Sequence, residues 1–68
     1  MMYSLPANEI VWEEITTETR RRFVITSDRR RESYYIYRIY DDGRTERLGK
    51  GKNPPELCKK YVNPIRRA

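Results

Sequence analysis

The stretch that decides the fold is Ser33–Lys50, SYYIYRIYDDGRTERLGK. Tyr34, Tyr35, Ile36, Tyr37, Ile39 and Tyr40 are β-branched or aromatic, the side chains that suit a pleated surface. Asp41-Asp42-Gly43 interrupts them as a turn, because glycine takes positive φ without steric cost and aspartate tolerates turn geometry. The stretch therefore predicts a β-hairpin. It holds four of the six tyrosines and three arginines, and the remaining residues are expected to support it.

Turn length sets the register of this hairpin. A two-residue Asp42-Gly43 loop would put Arg38 opposite Arg47 and Tyr37 opposite Leu48. A three-residue Asp41-Asp42-Gly43 loop, with glycine left-handed, would put Arg38 opposite Glu46 and Ile36 opposite Leu48. Opposed unlike charges favour the second register. One face then carries Tyr34, Ile36, Arg38, Tyr40, Glu46 and Leu48, and the other Tyr35, Tyr37, Ile39, Thr45 and Arg47. Both faces mix apolar and basic side chains, so the pattern leaves open which one a helix covers.

Working outward toward the N-terminus, Arg20–Ser27, RRRFVITS, reads as a strand with Phe23 and Ile25 on one face and Val24 on the other. Asp28–Glu32, DRRRE, is its turn. Glu9–Thr17, EIVWEEITT, is expected to be a strand on its Ile, Val, Trp and Thr content, although Val11 and Ile15 also stand at helical spacing. Residues 1–8 read as a loose lead-in broken by Pro6.

Toward the C-terminus, Gly49, Gly51 and Asn53 mark a loop, and Asn53-Pro54-Pro55-Glu56 opens a helix over residues 53–63. Asparagine is a strong N-cap, proline suits the first helical turn, and a glutamate three residues after the cap can reach back to it. Leu57, Cys58, Tyr61 and Val62 form an apolar stripe with Lys59 and Lys60 outside it. Pro64 ends the helix, and residues 64–68 form a basic tail. The sum is a single small α+β domain, an antiparallel sheet of three to four strands over residues 9–50, with one C-terminal α-helix packed on one face. The other face is left free, as antiparallel sheets allow.

Composition bounds the function. With 68 residues the chain makes one domain with a thin core, and Leu, Ile, Val and Phe number only thirteen, supplemented by six Tyr and one Trp. Such a core gains from a partner or a second copy, so a homodimer is a candidate state. One cysteine and no histidine leave no intrachain disulfide and no Cys/His zinc site. A reducing, cytoplasmic setting is expected. No apolar run approaches the ~20 residues of a membrane span, and the first residues do not resemble a secretory signal. No cofactor is implied.

Charge is unevenly placed. Residues 1–19 hold four acids and no base, whereas residues 20–68 hold fifteen bases and six acids. A balance of +9 after residue 19 points to a polyanionic partner. Aromatic rings interleaved with bases suit a nucleic-acid surface, since rings stack and guanidiniums neutralise phosphate. The candidate contacts are Arg29, Arg30, Arg31, Tyr35, Tyr37, Arg38, Arg44 and Arg47. Arg29–Arg31 has few acids nearby, whereas Arg20–Arg22 is open to pairing with Glu13, Glu14 or Glu18, which would cancel its field. Lys50 and Lys52 precede the helix without forming a Walker loop, and Pro54 and Pro55 remove two of the N–H groups a phosphate would need, so these lysines can act only as side-chain charges.

Catalysis finds no constellation. Ser4, Ser27 and Ser33 have no histidine to activate them, Cys58 lies on the apolar stripe, and Asp41-Asp42-Gly43 lacks the further ligands of a calcium loop.

The segment YYIYRIYDDGRTERLGKGKNPPELCKKYV resembles the arm-binding domain of phage-type tyrosine integrases, with Tyr- and Arg-rich strands, a Gly turn, a basic last strand and then a helix. That resemblance implies a three-stranded sheet on one helix, laid in the DNA major groove, with Arg38, Arg44 and Arg47 toward DNA. A coactivator-type single-stranded-DNA-binding fold is similar in placing strands before a helix. The expected function is thus non-catalytic nucleic-acid binding, DNA before RNA. The alternative is a small protein-interaction module, such as an inhibitor, adaptor or accessory subunit.

Overall fold

The computed structural model describes residues 3–63. Four strands follow in chain order, β1 (Glu9–Thr16), β2 (Arg22–Asp28), β3 (Tyr34–Ile39) and β4 (Thr45–Gly51). They pair as an antiparallel meander in the order β1-β2-β3-β4. Glu9–Thr16 is thus a strand and the helical alternative is excluded. A short helix α1 (Pro54–Leu57) continues into a π-helical turn, Cys58–Val62. The expected end of the helix at Pro64 and the basic tail lie outside the described residues. No helix among the described residues is long and apolar enough to cross a membrane.

The Asp41–Gly43 loop has three residues. The Tyr40 N–H donates to the Arg44 carbonyl (2.8 Å), the Gly43 N–H donates to the Tyr40 carbonyl (2.9 Å), and Gly43 has φ 89°. Arg38 therefore stands opposite Glu46, as the charge argument requires. The expected register holds through Tyr37 and Arg47 and fails beyond them. A bulge intervenes, so that Tyr37 faces Arg47 but Ile36 faces Gly49, and Leu48 is the extra residue. A second bulge in β1 does the same to Trp12, between the pairs Val11–Thr26 and Glu13–Ile25. An extra residue increases local twist and re-aims its side chain. Trp12 thereby meets the Tyr34 ring edge-on, with centroids 5.2 Å apart.

The helix covers the face of Phe23, Ile25, Tyr34 and Ile36, against which Leu57 and Val62 are buried and Ile15, Leu48, Cys58 and Tyr61 pack. Leu57 and Val62 are five residues apart, and the i→i+5 bonding of a π turn keeps such a pair on one side. Asn53 takes the extended cap conformation with prolines behind it, but its side chain makes no capping bond, so the expected capping box is not formed. Gly49 lies under Tyr61, where a Cβ would overlap the ring, and Gly51 lies against Leu57.

The opposite face is not free. Val24, Tyr37 and Ile39 are buried there, with Tyr3, Leu5 and Tyr35 packed on them. The Thr45 hydroxyl donates to the Ser4 carbonyl (3.1 Å), and the Tyr3 hydroxyl donates to Glu14 Oε2 (2.6 Å). Residues 3–5 are therefore a strap rather than a loose lead-in. Without the strap Val24, Tyr37 and Ile39 would face water, so it supplies burial that a second layer would give. Burial, then the bond to Glu14, pushes the Tyr3 phenol up to about 12.

Glu9 ties this face together. Its side chain is only 4 % exposed, and its carboxylate accepts from the Thr26 hydroxyl (2.6 Å), the Tyr37 hydroxyl (2.7 Å) and Arg47 Nη2 (2.8 Å). Arg47 Nε and Nη2 also donate to the Tyr37 oxygen (3.1 and 2.8 Å). Burial, then the bond to Glu9, holds the Tyr37 phenol above its ordinary pKa. A buried carboxylate is tolerable only when its lone pairs are filled. Glu9→Ala leaves three donors without their acceptor and is expected to lower stability by about 2–3 kcal/mol. Urea denaturation followed by circular dichroism checks this, and an unchanged midpoint would contradict the structural role of the carboxylate.

Candidate nucleic-acid interface

An antiparallel meander returns its first and third turns to the same end of the sheet. Here the β1–β2 turn (residues 17–21) and the β3–β4 turn (residues 41–43) stand side by side there. The β1–β2 turn repeats the hydrogen bonding of its neighbour: the Thr17 N–H donates to the Arg21 carbonyl (2.9 Å) and the Arg20 N–H to the Thr17 carbonyl (3.0 Å). The residue in the left-handed position is Gly43 in one turn and Arg20, at φ 65°, in the other. Thr17 is buried and steadies the loop, its hydroxyl accepting from the Arg21 N–H (3.1 Å).

Between the two turns lies a cleft of about 490 Å³ lined by Thr19, Arg20, Arg21, Arg22, Arg38, Ile39, Tyr40 and Asp41. Its floor is the end of the β2–β3 ladder, where Arg22 faces Ile39. Four arginines and one aspartate thus line it, with Arg22 and Arg38 on opposite faces of the sheet: Arg38 shares the face of its partner Phe23, whereas the Arg22 guanidinium lies on the strap face, 5.9 Å from the Tyr3 ring centroid. Among the described residues, ion pairs involve only Arg44 with Asp42 and Arg47 with Glu9. Arg20–Arg22 form no ion pair with the β1 acids among the described residues, although Glu14 comes near Arg22 through Tyr3, whose hydroxyl donates to Glu14 while Arg22 lies over its ring. Tyr40 stands beside the cleft with the Arg38 and Arg44 guanidiniums over its ring, at 4.9 and 5.0 Å from the centroid. Its hydroxyl donates to Glu46 (2.9 Å), which raises the phenol pKa.

The residues expected to bind are distributed over three places. Arg38 is in the cleft, and Arg44 is at its rim, exposed and bonded to Asp42 (2.8 Å). The bond from the Arg44 N–H, with its guanidinium in support, holds the Asp42 carboxyl below its usual range. Tyr35, Tyr37 and Arg47 lie on the strap face. Tyr37 is buried and offers no ring face, and the Arg47 guanidinium sits 4.5 Å from the Tyr35 ring centroid and bonds Glu9. Its bond with Tyr37 raises the Arg47 pKa further. Arg29, Arg30, Arg31, Lys50 and Lys52 occupy the opposite end of the sheet, all exposed. Arg31 is left-handed at φ 57° and lies over Trp12, 5.7 Å from the ring centroid. Shallower depressions mark that end, one at Arg29 and Arg30 (about 260 Å³) and one at Lys50 and Lys52 (about 250 Å³).

Arg20, Arg21, Arg22 and Tyr40 were not among the expected contacts. Their signal in the sequence is topological: in a meander the loop after the first strand and the Asp41–Gly43 loop must share an end. No known protein family, curated protein or solved structure matches the chain.

Among the described residues, the two other than glycine with positive φ are arginines, and each sits at a basic end of the sheet. A left-handed residue with a Cβ costs roughly 1 kcal/mol that glycine avoids. Arg20→Gly is expected to raise stability by about 0.5–1 kcal/mol, after allowing for the extra entropy of glycine in the unfolded chain. Thermal denaturation measures it, and a lower melting temperature would mean that the Arg20 side chain contributes packing that outweighs its backbone strain.

Proposed function

We propose that the chain is a non-catalytic nucleic-acid-binding module. The observation that carries this reading is the cleft lined by Arg20, Arg21, Arg22 and Arg38, four arginines gathered at one end of the sheet, none of them in an ion pair among the described residues. Like charges gathered this way repel one another, and a polyanion relieves the repulsion while releasing its counterions. Retention of arginine where glycine would fit the turn better supports the same reading, since backbone strain kept at a charged surface is characteristic of functional positions. An integrase-like use of the sheet face would require Tyr37 and Arg47 to face the ligand. Their engagement with Glu9 favours the sheet ends instead, with Arg29–Arg31, Lys50 and Lys52 adding backbone contacts at the far end.

The test is fluorescence anisotropy with labelled single-stranded DNA, duplex DNA and RNA over a salt series. Binding in the micromolar range at low salt is expected, with a steep salt slope. Arg21→Ala with Arg38→Ala should flatten that slope by about one per arginine removed. Lys59→Ala with Lys60→Ala, on the outer side of the helix, should leave it unchanged. A slope insensitive to the cleft variants would remove the cleft from the reading.

One observation favours a second reading, a protein-interaction module. The edge strand β1 exposes Ile10, Val11 and Trp12 to 44 %, 51 % and 45 %. The partner of this reading is a second copy of the chain. Glu13 and Glu14 on β1 complement Arg47 and Lys50 on β4, the other open edge, and a translated copy would continue the antiparallel alternation by setting its β1 beside β4. Sedimentation velocity should then detect association that grows with concentration, weakens with salt and disappears in Val11→Lys. A monomer at every concentration would end this reading.

A further inference from the structure

The size, shape and charge of the arginine cleft narrow the ligand beyond nucleic acid in general. We propose that the cleft binds the terminal phosphomonoester of a single strand. This rests on the nucleic-acid reading and specifies its ligand.

Shape comes first. The cleft is a re-entrant notch between two adjacent turns, closed at its floor by the Arg22–Ile39 pair. Duplex DNA is stiff over about 50 nm and presents a convex surface, which such a notch cannot follow. A single strand, and its end above all, can enter. The cleft volume of about 490 Å³ is that of a small-molecule site and suits one or two nucleotides rather than a long track. The two depressions at the other end of the sheet have about half that volume, so they suit charge contacts along a strand and not insertion.

Charge and donor number come second. Arg20, Arg21 and Arg38 against Asp41 leave the cleft at a formal +2, the Arg22 guanidinium being turned to Tyr3 on the strap face. An internal phosphodiester brings a single charge and two free oxygens. A terminal phosphomonoester brings about −1.5 to −2 at neutral pH and three acceptor oxygens. Each guanidinium offers N–H donors in a planar fork that matches phosphate oxygens. Arg20 and Arg21 come from one turn and Arg38 from a neighbouring strand, so donors can approach a phosphate end from two sides. The Arg38 and Arg44 guanidiniums lie over the Tyr40 ring, and a planar guanidinium can itself stack on the first base.

The ligand's own titration gives a signature. The second ionisation of a phosphomonoester lies near pH 6, so the preference for a phosphorylated end should decline as pH falls through about 6. The arginines that line the cleft stay charged throughout, and Tyr40 and its partner Glu46 are linked to each other. The Asp41 carboxylate is the acidic group on the lining and opposes an anion there.

The experiment is anisotropy with the full chain and one short single-stranded DNA prepared with a 5′-phosphate, with a 3′-phosphate, or with hydroxyls at both ends, beside a blunt duplex. Affinity for one or both phosphorylated strands should exceed that for the hydroxyl form by roughly tenfold, the scale of one or two charge-assisted hydrogen bonds. Arg21→Ala with Arg38→Ala should abolish this preference, whereas Arg29→Ala with Arg30→Ala should keep it and weaken all strands alike. Circular dichroism verifies that both variants fold. Equal affinity for phosphorylated and hydroxyl strands overturns the end-recognition proposal and leaves nucleic-acid binding standing. No binding to any strand overturns both. Inorganic phosphate that displaces the phosphorylated strand at equal concentration would assign the cleft to the free anion and overturn the strand assignment.

Discussion

One buried carboxylate organises this small sheet. Glu9 belongs to β1, yet its oxygens are bonded to Thr26 on β2, Tyr37 on β3 and Arg47 on β4. Every other strand is therefore tied to the first through a single side chain. Removing a carboxylate from water costs several kcal/mol unless its lone pairs are filled, so the network tolerates little displacement. Each strand must arrive with the correct residue at the correct height, and the two bulges are the local adjustments that accompany this alignment. The same network has a cost for recognition. It consumes Tyr37 and engages Arg47, which composition alone would send to the surface as a stacking ring and a phosphate contact.

The hairpin was legible because its signals are local. A glycine with two aspartates before it marked the turn, and the three-residue loop followed from setting Arg38 opposite the unlike charge of Glu46. The bulges were not legible, since an extra residue leaves no mark in a short alternating pattern. Residues 3–5 were misjudged for a related reason. Pro6 disrupts regular structure, but Tyr3 and Leu5 need none to lie across Val24, Tyr37 and Ile39. The helix was found from its prolines and apolar stripe, whereas its π register reflects the demand that Leu57 and Val62 share a side, a demand set by the sheet beneath them.

The candidate site divides along the same line. Arg38 and Arg44 were recognisable because they flank a recognisable turn. Arg20–Arg22 were discounted because acids lie nearby in sequence. In the ladder Glu13 and Glu14 face Ile25 and Val24, and Glu14 meets Arg22 only through Tyr3, so the expected ion pairs do not form among the described residues. Glu18 stands within the turn itself but forms no ion pair among the described residues. What places Arg38 beside Arg20–Arg22 is topology, and topology becomes available only when the strand order is known.

The two glycines of β4 have a consequence for how the helix finds its seat. Gly51 receives Leu57 and Gly49 receives Tyr61, so two notches in the strand accept two side chains of the returning helix. Two residues of strand advance about 6.6 Å, and four residues of helix advance about 6 Å, so the spacings agree. The arrangement works as a keyway. A helix shifted by one residue in either direction would set a ring against a side chain instead of a notch. Docking is thereby indexed to a single position by two places on the strand where no side chain stands.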